Sequence, residues 1–138
     1  MRPAPHPALL SLPLFAHSIP AGFPSPADDY VLSTLDLNEH LVPHKETTFF
    51  LRSSGLSMIG AGIYDGDLLV VDRSLTPTHR RIVVAILDGD FTVKRLYKRG
   101  GRIRLLSENP DFAPIEIKDG QELSIWGIVT HNIHQMPP

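Results

Sequence analysis

The sequence predicts a mostly β protein with an extended N-terminal arm and one or two short helices. Three features point there. From Thr47 onward, short runs of β-branched and aromatic residues recur, and turn-forming residues separate them. Before Thr47, prolines crowd a stretch that is apolar yet unsuited to regular structure.

Seven of the 13 prolines fall in the first 26 residues (Pro3, Pro5, Pro7, Pro13, Pro20, Pro24, Pro26), where the one charged side chain is Arg2. Proline fixes φ and removes amide donors, so an extended segment is expected. Leu9, Leu10, Leu12, Leu14, Phe15, Ile19 and Phe23 interleave with the prolines, and such an apolar arm suits a groove on a folded body. A secretory signal is the competing reading, because Arg2 precedes the apolar run Ala8–Ala16. Ser11 and Pro13 interrupt that run, and no small-x-small site follows Phe15. The arm is the better reading.

Ser25-Pro26-Ala27-Asp28 reads as a helix start, with a serine cap, proline at the first helical position and an acid at the positive helix end. Asp36 through Glu39 repeats the pattern before Pro43 stops it. One or two short helical turns are therefore expected between Pro26 and Leu41, with Tyr30, Val31, Leu35 and Leu41 packing inward. The expected strands are Thr47–Arg52, Leu68–Asp72, Arg81–Leu87, Asp90–Tyr97, Arg102–Leu106, Ile115–Lys118 and Leu123–His131. Asp88-Gly89 has the chemistry of a type I′ hairpin turn, Gly100-Gly101 marks the next reversal, and Asp65-Gly66-Asp67 and Asn109-Pro110-Asp111 supply further turns. The chain thus divides into a proline-rich arm (1–27), a short helical connector (28–44) and a compact domain of short strands in a partly closed sheet (45–138).

Composition narrows the chemistry. At 138 residues, 42% hydrophobic and 20% charged, the chain suits one soluble domain with a core of its own. A net charge of −2 gives no global field for nucleic acid or an acidic membrane, and no apolar run approaches a membrane span. With no cysteine, disulfides, thiol catalysis and cysteine-ligated metals are excluded, in keeping with a reducing, cytoplasmic setting.

The seven histidines (6, 17, 40, 44, 79, 131 and 134) form no metal motif: Pro43 breaks the helix that would align His40 with His44, and His131 and His134 would face opposite ways on a strand. No metal and no cofactor is expected. Gly60-Ala61-Gly62 lacks the third glycine of a dinucleotide fingerprint, and no phosphate-binding loop occurs. Lys94, Arg95, Lys98, Arg99, Arg102 and Arg104 place six of the 13 basic residues in eleven positions, around Tyr97. A nucleic-acid patch is one reading, but alternation along a hairpin divides the charges between two faces, so a solvated hairpin is preferred. A surface for an acidic protein stays open.

The remaining candidate is Ser57, in the glycine-containing turn Ser54-Gly55-Leu56-Ser57-Met58, followed 37 residues later by Lys94 in the strand Phe91–Leu96. Such a turn can project a hydroxyl and aim backbone amides at one point, as an oxyanion site requires. A lysine in an apolar strand loses solvation, its pKa falls, and only neutral lysine can take a serine proton. Spacing alone favours an ordinary turn serine and an exposed hairpin lysine.

Resemblance changes that balance. Ser54–Met58, the run Gly62-Ile63-Tyr64-Asp65-Gly66-Asp67-Leu68-Leu69-Val70-Val71-Asp72 and the run Asp88-Gly89-Asp90-Phe91-Thr92-Val93-Lys94-Arg95-Leu96 resemble, in order, the LexA/UmuD family of self-cleaving serine peptidases. Asn109-Pro110-Asp111-Phe112-Ala113-Pro114-Ile115 and Trp126-Gly127-Ile128-Val129 continue the likeness. Gly22-Phe23-Pro24-Ser25-Pro26-Ala27-Asp28-Asp29-Tyr30, and the lack of room for a DNA-binding domain, point to the UmuD branch rather than the repressors.

The resemblance implies a LexA-like peptidase fold in which Ser57 is the nucleophile, Lys94 the general base, and backbone amides at Ser57 and Met58 support the oxyanion. It puts the scissile bond at Ala21–Gly22, so that the arm 1–27 is cleavable and the domain 45–138 is both peptidase and dimerisation unit. Leu56 stands where many relatives carry a polar residue, and Ala21 where the best-known UmuD proteins have cysteine. The resemblance also implies a homodimer, activation by the RecA filament on single-stranded DNA, and service to a UmuC-type Y-family DNA polymerase and the sliding clamp in the bacterial SOS response. It implies no sequence-specific DNA binding and no membrane. Two other readings remain: a dimeric module whose arm merely docks, and a signal-peptidase-like hydrolase acting on other proteins.

Overall fold

In the computed structural model, residues 11–15, 18–24 and 31–138 are described, apart from the side chains of Val31 and Leu32. Two compact units result, Met1–Pro43 and His44–Pro138.

In the first unit, β1 (Ser11–Phe15) pairs antiparallel with β2 (Val31–Asp36), setting Leu12 opposite Leu35 and Pro13 opposite Thr34. Asp36 then caps α1 (Leu37–Leu41), its carboxylate accepting from the Asn38 amide at 2.9 Å. Two expectations need correction. Residues 31–36 form a strand instead of helical turns, and part of the proline-rich arm is regular. The alternating apolar pattern of Leu12-Pro13-Leu14 and the β-propensity of Val31 and Thr34 prevail, since a two-stranded ribbon needs donors on only one edge of each strand. Leu35 and Leu41 are half-buried. The helix start expected at Ser25–Asp28, and Tyr30, lie outside the described residues.

The second unit is an all-antiparallel sheet of β3 (Thr48–Arg52), β4 (Leu68–Asp72), β5 (Ile82–Leu87), β6 (Asp90–Arg99), β7 (Arg102–Leu106), β8 (Ile115–Glu116) and β9 (Leu123–Ile133). The strand order is β3-β4-β9-β5-β6-β7-β8, so the last strand in sequence lies at the centre and no β3–β8 ladder closes the sheet. The expected strands are all present, Leu68–Asp72 and Arg102–Leu106 with the expected bounds and the other five shifted at one end. Both turns joining β5, β6 and β7 have positive φ at both central residues: 49° and 88° at Asp88-Gly89, 60° and 77° at Gly100-Gly101. That is the type I′ pattern, whose twist matches the flanking strands.

Alternation along β5 feeds two cores. Val84 packs with Met58, Ile63, Leu69 and Val71, whereas Val83 and Ala85 pack with Leu96, Leu105 and Ile128. The sheet is thereby covered on both sides, and Met58 brings the turn after β3 into the first core.

Two buried carboxylates pin the ends of β4. Asp72 accepts from Thr47 Oγ1 (2.8 Å), the Ser74 amide (2.8 Å) and Ser74 Oγ (2.7 Å), and contacts His44 Nδ1 at 2.7 Å. Asp67 accepts from the Tyr64 amide and Asn132 Nδ2, each at 2.7 Å, and pairs with His134. Burial alone would raise both carboxyls; the hydrogen bonds, led by His44 at Asp72 and by Asn132 and His134 at Asp67, outweigh it and hold both below the ordinary 3.8. A carboxyl lowered in the folded state stabilises it above the ordinary value and stops doing so as pH falls through the folded value. Asp72→Asn is expected to cost about 2 kcal/mol at neutral pH. Urea unfolding followed down to acid should show that deficit narrowing below 3.8; a deficit independent of pH would remove the charge from this account.

Candidate active site

The loop after β3 places Ser57. Buried Ser53 anchors its start, donating from Oγ to the Tyr64 carbonyl (2.8 Å) and from its amide to the Asp67 carbonyl (2.9 Å). Gly55, at φ 90°, turns the chain while its amide donates to Asp65 Oδ1 at 2.8 Å. Met58, buried in the core, then leads into a short 3-10 turn at Ile59–Ala61. The far side of the loop is held by the segment after β7: the Glu108 amide donates to the Ser57 carbonyl (2.8 Å), the Gly60 amide to the Glu108 carbonyl (2.7 Å), and Asn109 Nδ2 to the Leu56 carbonyl (2.9 Å). Only glycine fits at position 60, where a Cβ would stand 2.5 Å from the Glu108 oxygen.

Lys94 comes from β6, opposite Val83 of β5. It is only 8% exposed, and its Nζ donates to Ser57 Oγ at 2.7 Å. Burial holds its pKa below the usual 10.5, and among the described residues no carboxylate pairs with it to offset that. Residues 37 apart in sequence thus share one hydrogen bond. A groove of about 380 Å³ runs past Ser57, walled by Leu51, Met58, Ile63 and Val84 on one part and by Phe91, Thr92 and Val93 on another. Among the described residues, the amides of Ser57 and Met58 donate to no acceptor. Leu56 is exposed at the turn.

Ala21 and Gly22 belong to the first unit, where both are exposed in a bend and nothing lies within 4 Å of a Cβ built on Gly22. Their neighbours Ile19 and Phe23 are 89% and 94% exposed.

The basic run is broken up. Lys94 is buried, Arg95 pairs with Glu108, Arg102 and Arg104 both pair with Glu116, and Arg104 also lies over the Tyr97 ring; Lys98 and Arg99 are exposed. Of the histidines, His44 and His134 pair with buried aspartates and His79 Nδ1 accepts from the Lys98 amide. Among the described residues, no group of three or more histidines and carboxylates is placed to hold a metal, and no helix is long and apolar enough to cross a membrane.

The sequence reading missed the two aspartate networks and the Glu108 contacts. Asp67 and Asn132 stand 65 residues apart, and no local pattern signals such a pair.

Comparison with known proteins gives the family. The Peptidase S24-like family matches residues 13–130. The chain belongs to that family. Protein MucA of Salmonella typhimurium is 48% identical over 128 residues, which is 92% of this chain and 87% of that protein. Protein SamA of Salmonella typhimurium is 44% identical over 133 residues, 96% of this chain and 92% of its own length. A LexA repressor of Cupriavidus taiwanensis is 43% identical over 119 residues, covering 86% of this chain but 54% of the repressor. Family membership makes the chain a serine-peptidase relative of the LexA and UmuD kind, and it is in the S24-like domain that Ser57 and Lys94 meet.

A buried lysine without a carboxylate partner among the described residues holds its proton less tightly in the folded chain than in the unfolded one. In the unfolded chain lysine binds a proton up to about 10.5, whereas the folded site releases it earlier, so stability rises with pH through that interval. Lys94→Met, which keeps the length and removes the charge, is expected to raise the thermal midpoint at pH 7. The gain should vanish as pH approaches 10.5; a midpoint lower at every pH would show the ammonium to be well solvated.

Proposed function

We propose that this protein cuts its own chain between Ala21 and Gly22 by acyl transfer, with Ser57 as nucleophile and Lys94 as general base. The observation that carries this reading is the 2.7 Å contact between Ser57 Oγ and the buried Lys94 Nζ. Neutral Lys94 takes the Ser57 proton as Oγ attacks the Ala21 carbonyl carbon. The Ser57 and Met58 amides receive the oxyanion. As the tetrahedral centre collapses, the Ala21–Gly22 C–N bond breaks and Lys94 returns its proton to the Gly22 amine. Water, deprotonated by the same lysine, then hydrolyses the Ser57 ester and frees the segment ending at Ala21.

The small pair Ala21-Gly22 lets the groove approach the backbone closely, and exposed Ile19 and Phe23 flank it as apolar anchors. Similarity to MucA and SamA supports the wider role: an SOS mutagenesis protein of the bacterial cytoplasm, homodimeric, whose cleavage is stimulated by the RecA filament on single-stranded DNA. In that role the processed form is the accessory subunit of a UmuC-type Y-family polymerase in translesion synthesis, working with the sliding clamp.

Intact-mass analysis of wild type, Ser57→Ala and Lys94→Ala tests the chemistry. Wild type alone should lose residues 1–21, faster near pH 10, where more of the lysine is neutral, and faster with RecA, single-stranded DNA and nucleotide. Three intact chains would favour a non-catalytic docking module. Cleavage of all three at one rate would indict another protease, and cleavage of an added protein in preference to the arm would favour a signal-peptidase-like hydrolase.

A further inference from the structure

We infer that Glu108 is a positioning residue for this chemistry, tying the turn that carries Ser57 to the strand that carries Lys94. The inference rests on the Ser57–Lys94 reading proposed above. Glu108 follows β7, and its main chain grips the Ser57 turn on both sides: its amide donates to the Ser57 carbonyl at 2.8 Å, and its carbonyl accepts from the Gly60 amide at 2.7 Å. The next residue, Asn109, holds the Leu56 carbonyl at 2.9 Å. The Glu108 side chain reaches the other way and pairs with Arg95, the immediate neighbour of Lys94 on β6. Arg95 is fixed in turn, donating through Nη1 to the Arg80 carbonyl at 2.6 Å.

These contacts make a closed circuit. It runs from Ser57 Oγ to Lys94 Nζ, along β6 to Arg95, across the ion pair to Glu108, and back through its amide to the Ser57 carbonyl. The Arg95 and Glu108 side chains are 24% and 32% exposed, so solvent screens the pair less than it would a fully exposed one. The backbone clamps join the turn to the segment after β7 but make no link to β6, which carries Lys94. The ion pair supplies that link through Arg95, and so couples the turn's position to the Oγ–Nζ separation. Geometry matters steeply here, because a misplacement of about 1 Å between reacting groups can cost on the order of a hundredfold in rate.

A double-mutant cycle on the full chain tests the circuit, with Glu108→Ala, Arg95→Ala, the double variant and Glu108→Gln. Two readouts are compared: the first-order rate of self-cleavage, and the rate at which a fluorophosphonate probe labels Ser57. Circular dichroism checks that each variant is folded at the assay temperature. Each alanine variant should lose on the order of tenfold in both rates, at neutral pH and near pH 10 alike, since the burial of Lys94 is untouched. The double variant should lose no more than either single one, as expected when two side chains act as one unit. Glu108→Gln, whose amide oxygen still accepts from Arg95, should recover part of the loss. Single variants at wild-type rates, or losses that multiply in the double variant, would overturn the inference. If wild type labels at Ser57 but does not cut itself, the proposed self-cleavage fails while the labelling cycle still decides the role of Glu108. A wild type that neither labels nor cuts overturns both.

Discussion

The arrangement depends on keeping one lysine away from water. Lys94 is buried without a carboxylate partner among the described residues, which penalises its charged form, and the fold surrounds it with regular strand structure. The residue sits in β6, the longer arm of a tight hairpin whose type I′ turn sets the register. Leu96, two residues on, is a core residue, so the strand cannot slip to expose the lysine without also exposing the core. The same constraint explains why a hydroxyl is its hydrogen-bond partner. A carboxylate there would hold the proton on lysine, whereas a serine leaves it free to lose one.

Ser57 is set by a different means. Its turn belongs to no strand, and three anchors hold it: Ser53 and Gly55 to the Tyr64–Asp67 turn, Met58 to the core, and Leu56, Ser57 and Gly60 to the segment after β7. The Tyr64–Asp67 turn is itself fastened to the end of β9 through Asp67, Asn132 and His134. The central position of β9 between β4 and β5 is what carries that support across the sheet. Loop residues thus gain the precision of a sheet by hydrogen-bonding to parts the sheet already fixes.

What could be read beforehand follows from the range of each interaction. The hairpins at Asp88-Gly89 and Gly100-Gly101 were legible because turn chemistry and alternation are local. The apolar runs of β4 and β5 were legible for the same reason. The β1–β2 ribbon is not, because proline density suggests an irregular arm and Ser25-Pro26-Ala27-Asp28 suggests helical turns; the short helix signalled by Asp36 through Glu39 is present, with Asp36 capping α1. Ser57 and Lys94 are candidates on residue type and setting, but spacing alone fits an ordinary serine and lysine, and it is the family resemblance that tips the balance toward them. Their burial and contact depend on strand pairing and on loop anchors that no local pattern encodes. The aspartate networks and Glu108 lie furthest from view: each joins segments that are distant in sequence, by single side chains of common type.

For the proposed self-cleavage, two populations multiply to set the rate: chains with the arm seated in the groove, and chains with Lys94 neutral. Tethering makes the first a unimolecular matter, so seating needs little affinity. A groove that bound the arm tightly would leave nothing for an activator to change. The second population grows as pH rises, and burial of Lys94 shifts it toward the neutral form by lowering the lysine's pKa. The burial of Lys94 favours the neutral form that the proposed reaction needs. On the proposed reading an activating filament need not supply any catalytic group, because raising the seated fraction alone would speed a reaction whose proposed nucleophile and base already share a hydrogen bond.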